Sequence, residues 1–246
     1  MVLTVEDLGI SFGSNHVLKS LSFEVGENEV LGVIGPNGAG KTVMLNILTG
    51  ILKATKGKVS FMGNDITKKS VTERCRMGFG RTFQVPRTFE NMTVFENVIV
   101  GGVYGDHLSE RQAKERAVEM LELIGLLDRA DWMAGKLSLL DRKRLEIGRA
   151  LASNPKILMF DEVAGGLTES EVEGILQIVQ NIKDRGISIV WIEHVLKTMR
   201  EGTDRILCLA EGRNVICDKP DTVMNSKEVC ELYLGAEEDE PRQKNS

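Results

Sequence analysis

The sequence predicts an α/β protein with a mixed sheet, an antiparallel β region before it and an inserted helical segment. Apolar strand patterns alternate with helical patterns over residues 145–192, which is typical of a parallel sheet covered by helices. Short strand patterns separated by turn residues fill 2–34, while 85–153 carries several helical patterns and few strands.

Length, net charge, apolar runs and cysteine spacing limit the classes of protein to which this chain can belong. The chain has 246 residues, which corresponds to one large domain or one domain with a sub-lobe. Its net charge of −5 gives no basic field to attract nucleic acid, so we expect no nucleic-acid partner. No apolar run reaches the ~18 residues that span a bilayer, and any membrane role is therefore expected to be peripheral. The four cysteines lack C-x-x-C spacing and are expected to be core residues in a reducing cytosol.

The first strands are short in the sequence pattern. We expect strands at Val2–Val5, Leu8–Phe12 and Leu21–Val25, with Val17 in a further short one. Phe12 ends the second strand, next to a Gly-Ser-Asn turn. An aromatic ring there can stack on a purine, and the alternative is a core or turn aromatic.

A glycine-rich loop follows the apolar strand Val30–Ile34 and precedes a helical pattern that ends near Gly50. The loop consists of Gly35, Pro36, Asn37, Gly38, Ala39, Gly40, Lys41 and Thr42. Glycines allow successive N–H groups to face phosphate oxygens, and the new helix adds its positive end. A lysine here binds the β- and γ-phosphates and a threonine hydroxyl binds Mg²⁺. The order of strand, loop and helix favours a nucleotide-phosphate site over a chance glycine-rich turn.

Two acidic residues end the next buried strand. Asp161 and Glu162 follow the apolar run Ile157–Phe160, and such strand ends line ligand crevices in α/β sheets. We expect Asp161 to hold Mg²⁺ opposite Thr42 and Glu162 to deprotonate a water that attacks the γ-phosphate. The alternative is an ordinary pair of charges at a helix N-terminus.

Two further polar residues occupy similar positions. His194 follows the strand Ile187–Ile192, where an imidazole can bind the γ-phosphate and contact the base. Gln84 ends the strand pattern at 78–83 and can bind both Mg²⁺-bound water and the backbone of a mobile loop. A lone histidine is more often structural, so this prediction depends on its placement.

The remaining elements complete the α/β pattern. An amphipathic helix is predicted over Ala113–Leu127, with a capping box at Ser109 and Gln112. A helix over Glu169–Lys183 and a hairpin around residue 212 follow, and a short helix ends at Gly235. The expected division is an α/β core at 1–84 and 154–235, a helical subdomain at 85–153 and a disordered tail at 236–246.

Five ordered motifs resemble an ABC transporter ATP-binding subunit, and the resemblance covers residues 1 to about 235. They are Gly35–Thr42, Gln84, Leu137–Ser138, Asp161–Glu162 and His194. The resemblance implies a Mg-ATP hydrolase of the P-loop ABC type. It also implies two such subunits, identical or different, clamped under integral membrane permease subunits on the cytoplasmic face. Ser138 would then face the partner's ATP, and Phe12 would stack on adenine.

Within that family, three segments are similar to subunits of branched-chain amino-acid importers. They are Arg81–Asn97, Arg144–Leu151 and the terminal Tyr233–Gly235. Urea, amide and lipopolysaccharide transporters of similar design remain alternatives, as does a soluble ABC-type assembly ATPase or a degenerate regulatory module. The apolar residues of the first segment, Val85, Pro86, Phe89 and Met92, are candidates for docking to the membrane subunits or for plain core packing.

The chain departs from the family pattern at several positions. The family signature is Leu-Ser-Gly-Gly-Gln, whereas this chain has leucines at 139 and 140 and Asp141. We expect Leu140 to crowd the partner's phosphate and Asp141 to repel it. Thr168 replaces an aspartate, Val163 replaces a proline, and an insertion common in branched-chain subunits is missing. A heterodimer, with one sound site, is therefore favoured over a homodimer.

Overall fold

The computed structural model describes residues 1–238, with side chains to 233, and contains two β-sheets. The strands, in chain order, are β1 (Leu3–Phe12), β2 (Asn15–Val25), β3 (Val30–Ile34), β4 (Lys56–Phe61), β5 (Asn64–Asp65), β6 (Phe79–Arg81), β7 (Ile157–Asp161), β8 (Ser188–Ile192), β9 (Arg205–Ala210) and β10 (Arg213–Asp218). The sheets have the strand orders β2-β1-β4-β5 and β10-β9-β3-β8-β7-β6.

The six-stranded sheet positions the candidate site. Strands β9, β3, β8, β7 and β6 run parallel, and β10 is antiparallel to β9. Every residue of β3, β7 and β8 is buried, which explains their continuous apolar runs. Because parallel strands end at the same edge, the residues that follow β3, β6, β7 and β8 lie along one side of the sheet. This mixed α/β architecture confirms the predicted fold class.

Helices cover the sheet and form the segment between β6 and β7. They are α1 (Lys41–Leu48), α2 (Val71–Arg76), α3 (Val94–Gly105), α4 (Glu110–Leu123), α5 (Leu139–Ala152), α6 (Glu169–Asp184), α7 (Leu196–Gly202), α8 (Pro220–Met224) and α9 (Lys227–Glu238). Three of them, α3, α4 and α5, pack on one another. The division of the chain into core and helical subdomain stays a prediction.

The antiparallel sheet differs from the sequence expectation. The stretch from Leu3 to Phe12 is one strand, although its pattern predicts two. The pairing with β2 shifts register between Val5 and Leu8, and Asp7 there has φ 48°. A bulge of this kind lets a strand continue through polar residues that otherwise indicate a turn.

Two helix ends also differ. Helix α4 ends at Leu123 and not at Leu127, because Gly125 adopts φ 69° and ends the helix. The predicted capping box at Ser109 and Gln112 is present. Helix α9 continues past Gly235 to Glu238, so the predicted tail begins too early, and residues 239–246 lie outside the described chain. Within the described residues, no helix combines the length and apolarity needed to cross a membrane.

Arg74 connects α2 to the helix that begins at the glycine-rich loop. Its side chain is 1% exposed. One guanidinium nitrogen donates to the carbonyl oxygens of Ile47 and Leu48 at the end of α1, at 2.7 and 2.6 Å. The other nitrogens donate to carbonyls of the segment 66–69. Carbonyls at a helix end have no partner within the helix, and Arg74 supplies one.

Candidate functional site

The loop at 35–42 connects β3 to α1 with glycines in conformations that other residues adopt at a cost. Gly35, Gly38 and Gly40 have φ values of 147°, 80° and 101°. A Cβ on Gly35 would lie 2.1 Å from the carbonyl oxygen of Leu209, so this position accepts only glycine. Gly40 is the N-cap of α1. The loop therefore opens directly onto a helix N-terminus, as a phosphate site requires.

Lys41 lies folded over the start of the loop. Its Nζ donates to the carbonyl oxygens of Gly35 at 2.6 Å and Pro36 at 3.0 Å. Burial lowers the pKa of Lys41, and the nearby acid Glu162 opposes that shift. From the other side of the loop, the Gly35 N–H donates to the Tyr233 hydroxyl at 3.0 Å. The lysine and the predicted base thus share one site.

Asp161, at the carboxyl end of β7, is 5% exposed and pairs with Arg81. A guanidinium nitrogen of Arg81 lies 3.1 Å from Asp161 Oδ2, and another donates to Asn46 and Thr49 on the α1 side. Burial raises the pKa of Asp161, while the hydrogen bond and charge of Arg81 lower it. Arg81 therefore ties the carboxylate to the helix that begins at Lys41.

Glu162, Gln84 and His194 come together although they are far apart in sequence. Gln84 Nε2 donates to Glu162 Oε2 at 2.6 Å. His194 Nδ1 lies 3.7 Å from the same oxygen, and its side chain is 57% exposed. The structure thus brings three of the predicted residues to one point at the edge of the sheet.

The other predicted residues lie on exposed surface. Phe12 is 50% exposed at the tip of the β1–β2 hairpin, and β2 packs on the loop, where a Cβ on Gly40 would lie 3.3 Å from the Val17 carbonyl oxygen. Thr42 is exposed in the first turn of α1, and Ser138 is the exposed N-cap of α5. The structure gives no direct contact between these three residues and Glu162.

The segment in the signature position requires a correction. Asp141 is 4% exposed and forms an ion pair with Arg129, and the Ser138 hydroxyl donates to it at 2.9 Å. Its charge is therefore compensated inside the chain, contrary to the expected repulsion. Leu140 packs against the core, whereas Leu139 is 47% exposed. Leu139 is thus the residue that presents a bulky side chain here.

Several buried charges near the site were not predicted as site residues. Glu146 accepts the N–H groups of Phe83 and Arg87 at 3.0 and 2.9 Å, and thereby holds both ends of the segment around Gln84. Lys143 and Glu193 are also buried. One feature of the sequence points to Lys143. It lies three residues after Leu140 and four before Ile147, so a charged residue occupies the apolar face of α5.

The predicted metal ligands are oxygen groups that suit a hard cation. They are the Thr42 hydroxyl, the Gln84 amide and the Asp161 carboxylate, all of them oxygen ligands of the kind Mg²⁺ prefers. Among the residues the structure describes, no group of three or more His, Cys, Asp or Glu side chains is arranged to hold a metal by protein ligands alone. A magnesium ion held by one or two protein groups together with substrate phosphates needs no such cage.

Comparison with known proteins identifies the family. A family model described as ABC transporter matches residues 18–165, more than half of the chain. The chain is 34% identical over 249 residues to the LivG branched-chain amino acid transport ATP-binding protein of Salmonella typhimurium, covering 95% of this chain and 98% of that protein. It is 32% identical over 234 residues to the LptB lipopolysaccharide export ATP-binding protein of Haemophilus influenzae, covering 95% and 97%.

Solved structures agree with these relatives. An ATP-binding cassette of an ABC transporter in its ADP conformation matches with a TM-score of 0.87 and 32% identity, covering 95% of this chain and 98% of that one. A dimeric cassette in a post-hydrolysis state with ADP and phosphate matches with a TM-score of 0.79 and 26% identity, covering 89% and 98%. The chain belongs to the ABC transporter family and is an ATP-binding subunit with ATP hydrolase activity.

Proposed function

We propose that this subunit energises an importer of branched-chain amino acids. The observation that carries the proposal is the likeness to LivG proteins of bacteria and archaea, at 34% identity over at least 95% of both chains for those of Salmonella typhimurium and Methanocaldococcus jannaschii. The segment Arg81–Asn97 and the terminal Tyr233 support the same assignment, as their sequence resembles that of such importers.

ATP is bound by the loop at 35–42. The N–H groups of this loop and of the first turn of α1 surround the β- and γ-phosphates, and Lys41 turns from the Gly35 carbonyl to meet them. Phe12 stacks on the adenine. Thr42, Gln84 and Asp161 would hold Mg²⁺, and the ion would supply positive charge to the phosphates. The exposed position of Phe12 beside the loop supports its role.

Hydrolysis uses the cluster at the carboxyl ends of β7 and β8. Glu162 orients an attacking water and accepts its proton, and His194 donates a hydrogen bond to the γ-phosphate. Gln84 contacts Glu162 in the structure, and its amide oxygen would also be available to a magnesium ion. The 2.6 Å contact between Gln84 and Glu162 and the 3.7 Å approach of His194 support this assignment.

The membrane subunits dock beside Gln84, at the cytoplasmic face of the membrane. Val85 is 74% exposed and Phe89 is 45% exposed, and both follow Gln84 closely. Apolar side chains this exposed are typical of a contact surface. Because Glu146 holds the backbone of the same segment, a movement of the docked membrane subunits that displaces this segment also displaces Gln84.

A second, different ATPase subunit completes the active site. ABC cassettes dimerise, and Ser138 of one subunit faces the ATP of the other. The exposed Leu139 takes the place of a signature glycine and hinders the approach of the partner's γ-phosphate. A heterodimer with one intact signature therefore hydrolyses ATP faster than two copies of this chain.

Lipopolysaccharide export is the second candidate function. Both LivG and LptB alignments cover 95% of this chain, but the LivG alignment is longer. Such a difference is expected if the LivG proteins contain residues that this chain lacks. The LptB alignment spans 234 residues for the same share of this chain, so it contains fewer gaps than the LivG alignment, and to this extent it favours the exporter assignment.

Reconstitution separates the two candidates. The chain is co-expressed with permease subunits of an amino-acid importer or of a lipopolysaccharide exporter, extracted in detergent and purified by a tag on this chain. We expect the importer permeases to co-purify and to support ATP-dependent leucine uptake into proteoliposomes. Co-purification with the exporter subunits alone would contradict the importer assignment, and co-purification with neither set of permeases would favour an assembly ATPase.

A further inference from the structure

Lys143 is a buried cation that the mechanism above does not use. It lies on α5, five residues after Ser138, and is 4% exposed. Its Nζ donates to the main-chain carbonyl oxygen of Glu162 at 2.9 Å. Burying an ammonium group costs free energy unless partners compensate it, so the contact requires a compensating environment.

Acidic side chains provide that environment. Glu193 is fully buried, and its carboxylate accepts the Ala164 N–H at 2.6 Å. Burial lowers the pKa of Lys143, whereas the charges of Glu193, Glu162 and Glu146 raise it. Glu193, Glu162 and Glu146 therefore offset part of the cost of burying the ammonium, whose direct contact is the carbonyl just after β7.

The backbone of Glu162 needs such support. Its φ of 52° lies in the left-handed region, which a residue with a side chain adopts at a cost. Three contacts hold it: the Glu162 N–H donates to the Ile192 carbonyl at 2.9 Å, and the Glu162 carbonyl accepts from Lys143 and from the Gly165 N–H at 3.2 Å. The first and last of these are backbone contacts, and Lys143 supplies the side-chain contact.

This backbone conformation directs the Glu162 carboxylate. It lies between Gln84 and His194, at 2.6 and 3.7 Å. If the carbonyl lost the contact with Lys143, the peptide plane could rotate and carry the carboxylate away from the water it serves. A displacement of about 1 Å can cost about 100-fold in rate.

We infer that Lys143 is a positioning residue for ATP hydrolysis, which holds the Glu162 carbonyl and thereby aims the Glu162 carboxylate at the attacking water. The inference rests on the proposed role of Glu162 as general base. Within the described residues, the structure shows no hydrogen bond or ion pair between Lys143 and the loop at 35–42, so we expect its removal to leave nucleotide binding intact.

The test compares Lys143→Met, Lys143→Gln and wild type in steady-state ATP hydrolysis, with the partner ATPase added if turnover requires it. We expect Lys143→Met to lower kcat by about 10- to 100-fold and to change KM and the Kd of a fluorescent ATP analogue by less than about twofold. Lys143→Gln keeps a shorter donor and is expected to retain more activity. Lys114→Met, on the exposed face of α4, is the matched control and should match wild type.

A Glu162→Gln background distinguishes positioning from a general structural role. Residual hydrolysis there does not depend on a carboxylate, so adding Lys143→Met should change it by less than about twofold. An equal loss in both backgrounds, a parallel loss of nucleotide binding, or an unchanged kcat in Lys143→Met would overturn the inference. If Lys143→Met does not fold, an unchanged kcat in Lys143→Leu, which also lacks a donor, would do the same. If Glu162→Gln itself hydrolyses ATP like wild type, the proposed base is wrong, which is a separate failure.

Discussion

Gln84 Nε2 lies 2.6 Å from Glu162 Oε2, although 77 residues separate the two in the chain. The first residue belongs to the segment that is expected to contact the membrane subunits, and the second is the proposed base. This contact connects the segment proposed to dock to the membrane subunits with the residue proposed to activate water. It joins the exposed loop after β6 to the end of β7.

Gln84→Ala removes that connection. We expect kcat to fall about tenfold, which corresponds to about 1.4 kcal/mol, the size of one hydrogen bond to a charged group. The Mg²⁺ concentration for half-maximal activity should also rise, because Gln84 is one of the residues proposed to hold Mg²⁺. Steady-state hydrolysis across a Mg²⁺ titration measures both. Unchanged activity at every Mg²⁺ concentration would remove Gln84 from the mechanism.

Arg74→Met tests the support of the phosphate-binding helix. The variant loses hydrogen bonds to the carbonyls of Ile47 and Leu48 and leaves them buried. We expect the free energy of unfolding to fall by roughly 3 to 5 kcal/mol, as measured by urea denaturation. Arg76→Met, on the exposed face of the same helix, is the control and should change stability by less than about 0.5 kcal/mol. A similar effect of the two substitutions would show that the carbonyls find other partners.

Arg129→Met tests whether Asp141 is neutralised within the chain. Asp141 would remain buried with the Ser138 hydroxyl and the Arg144 guanidinium, which lies 3.8 Å away. Since Arg129 is partly exposed, we expect a loss of about 1 to 3 kcal/mol in urea denaturation. Adding Asp141→Asn should restore part of the loss, because no charge is then left unpaired. If the single substitution has no effect, Arg129 does not compensate the charge of Asp141.

The cysteines differ in predicted reactivity, and the expectation that all four are core residues is wrong. Cys208 is fully buried, while Cys230 is exposed. Burial raises the pKa of Cys208 to about 11, so at pH 8 about one thiol in a thousand is ionised. We expect iodoacetamide to label Cys230 in the native protein and Cys208 only after unfolding, as read by mass spectrometry. Rapid native labelling of Cys208 would contradict its burial.

Sequence reasoning located the candidate site because the site follows strand ends. Asp161, Glu162 and His194 come within two residues of the end of an apolar run, the loop that leads to Lys41 follows another, and parallel strands bring those ends together. The contacts of Arg81 and Lys143 could not be predicted, since they depend on the distance between α5, α1 and β7. The neutralisation of the Asp141 charge could not be predicted either, because it depends on a tertiary contact with Arg129.

Glu162 is proposed to activate the water that attacks an ATP bound at residues 35–42. The most direct measurement compares wild type and Glu162→Gln for both ATP affinity and the rate of phosphate release, in the same preparation. We predict an unchanged Kd for ATP and a phosphate-release rate lower by about 100- to 10,000-fold. A Glu162→Gln variant that releases phosphate at the wild-type rate would contradict the account.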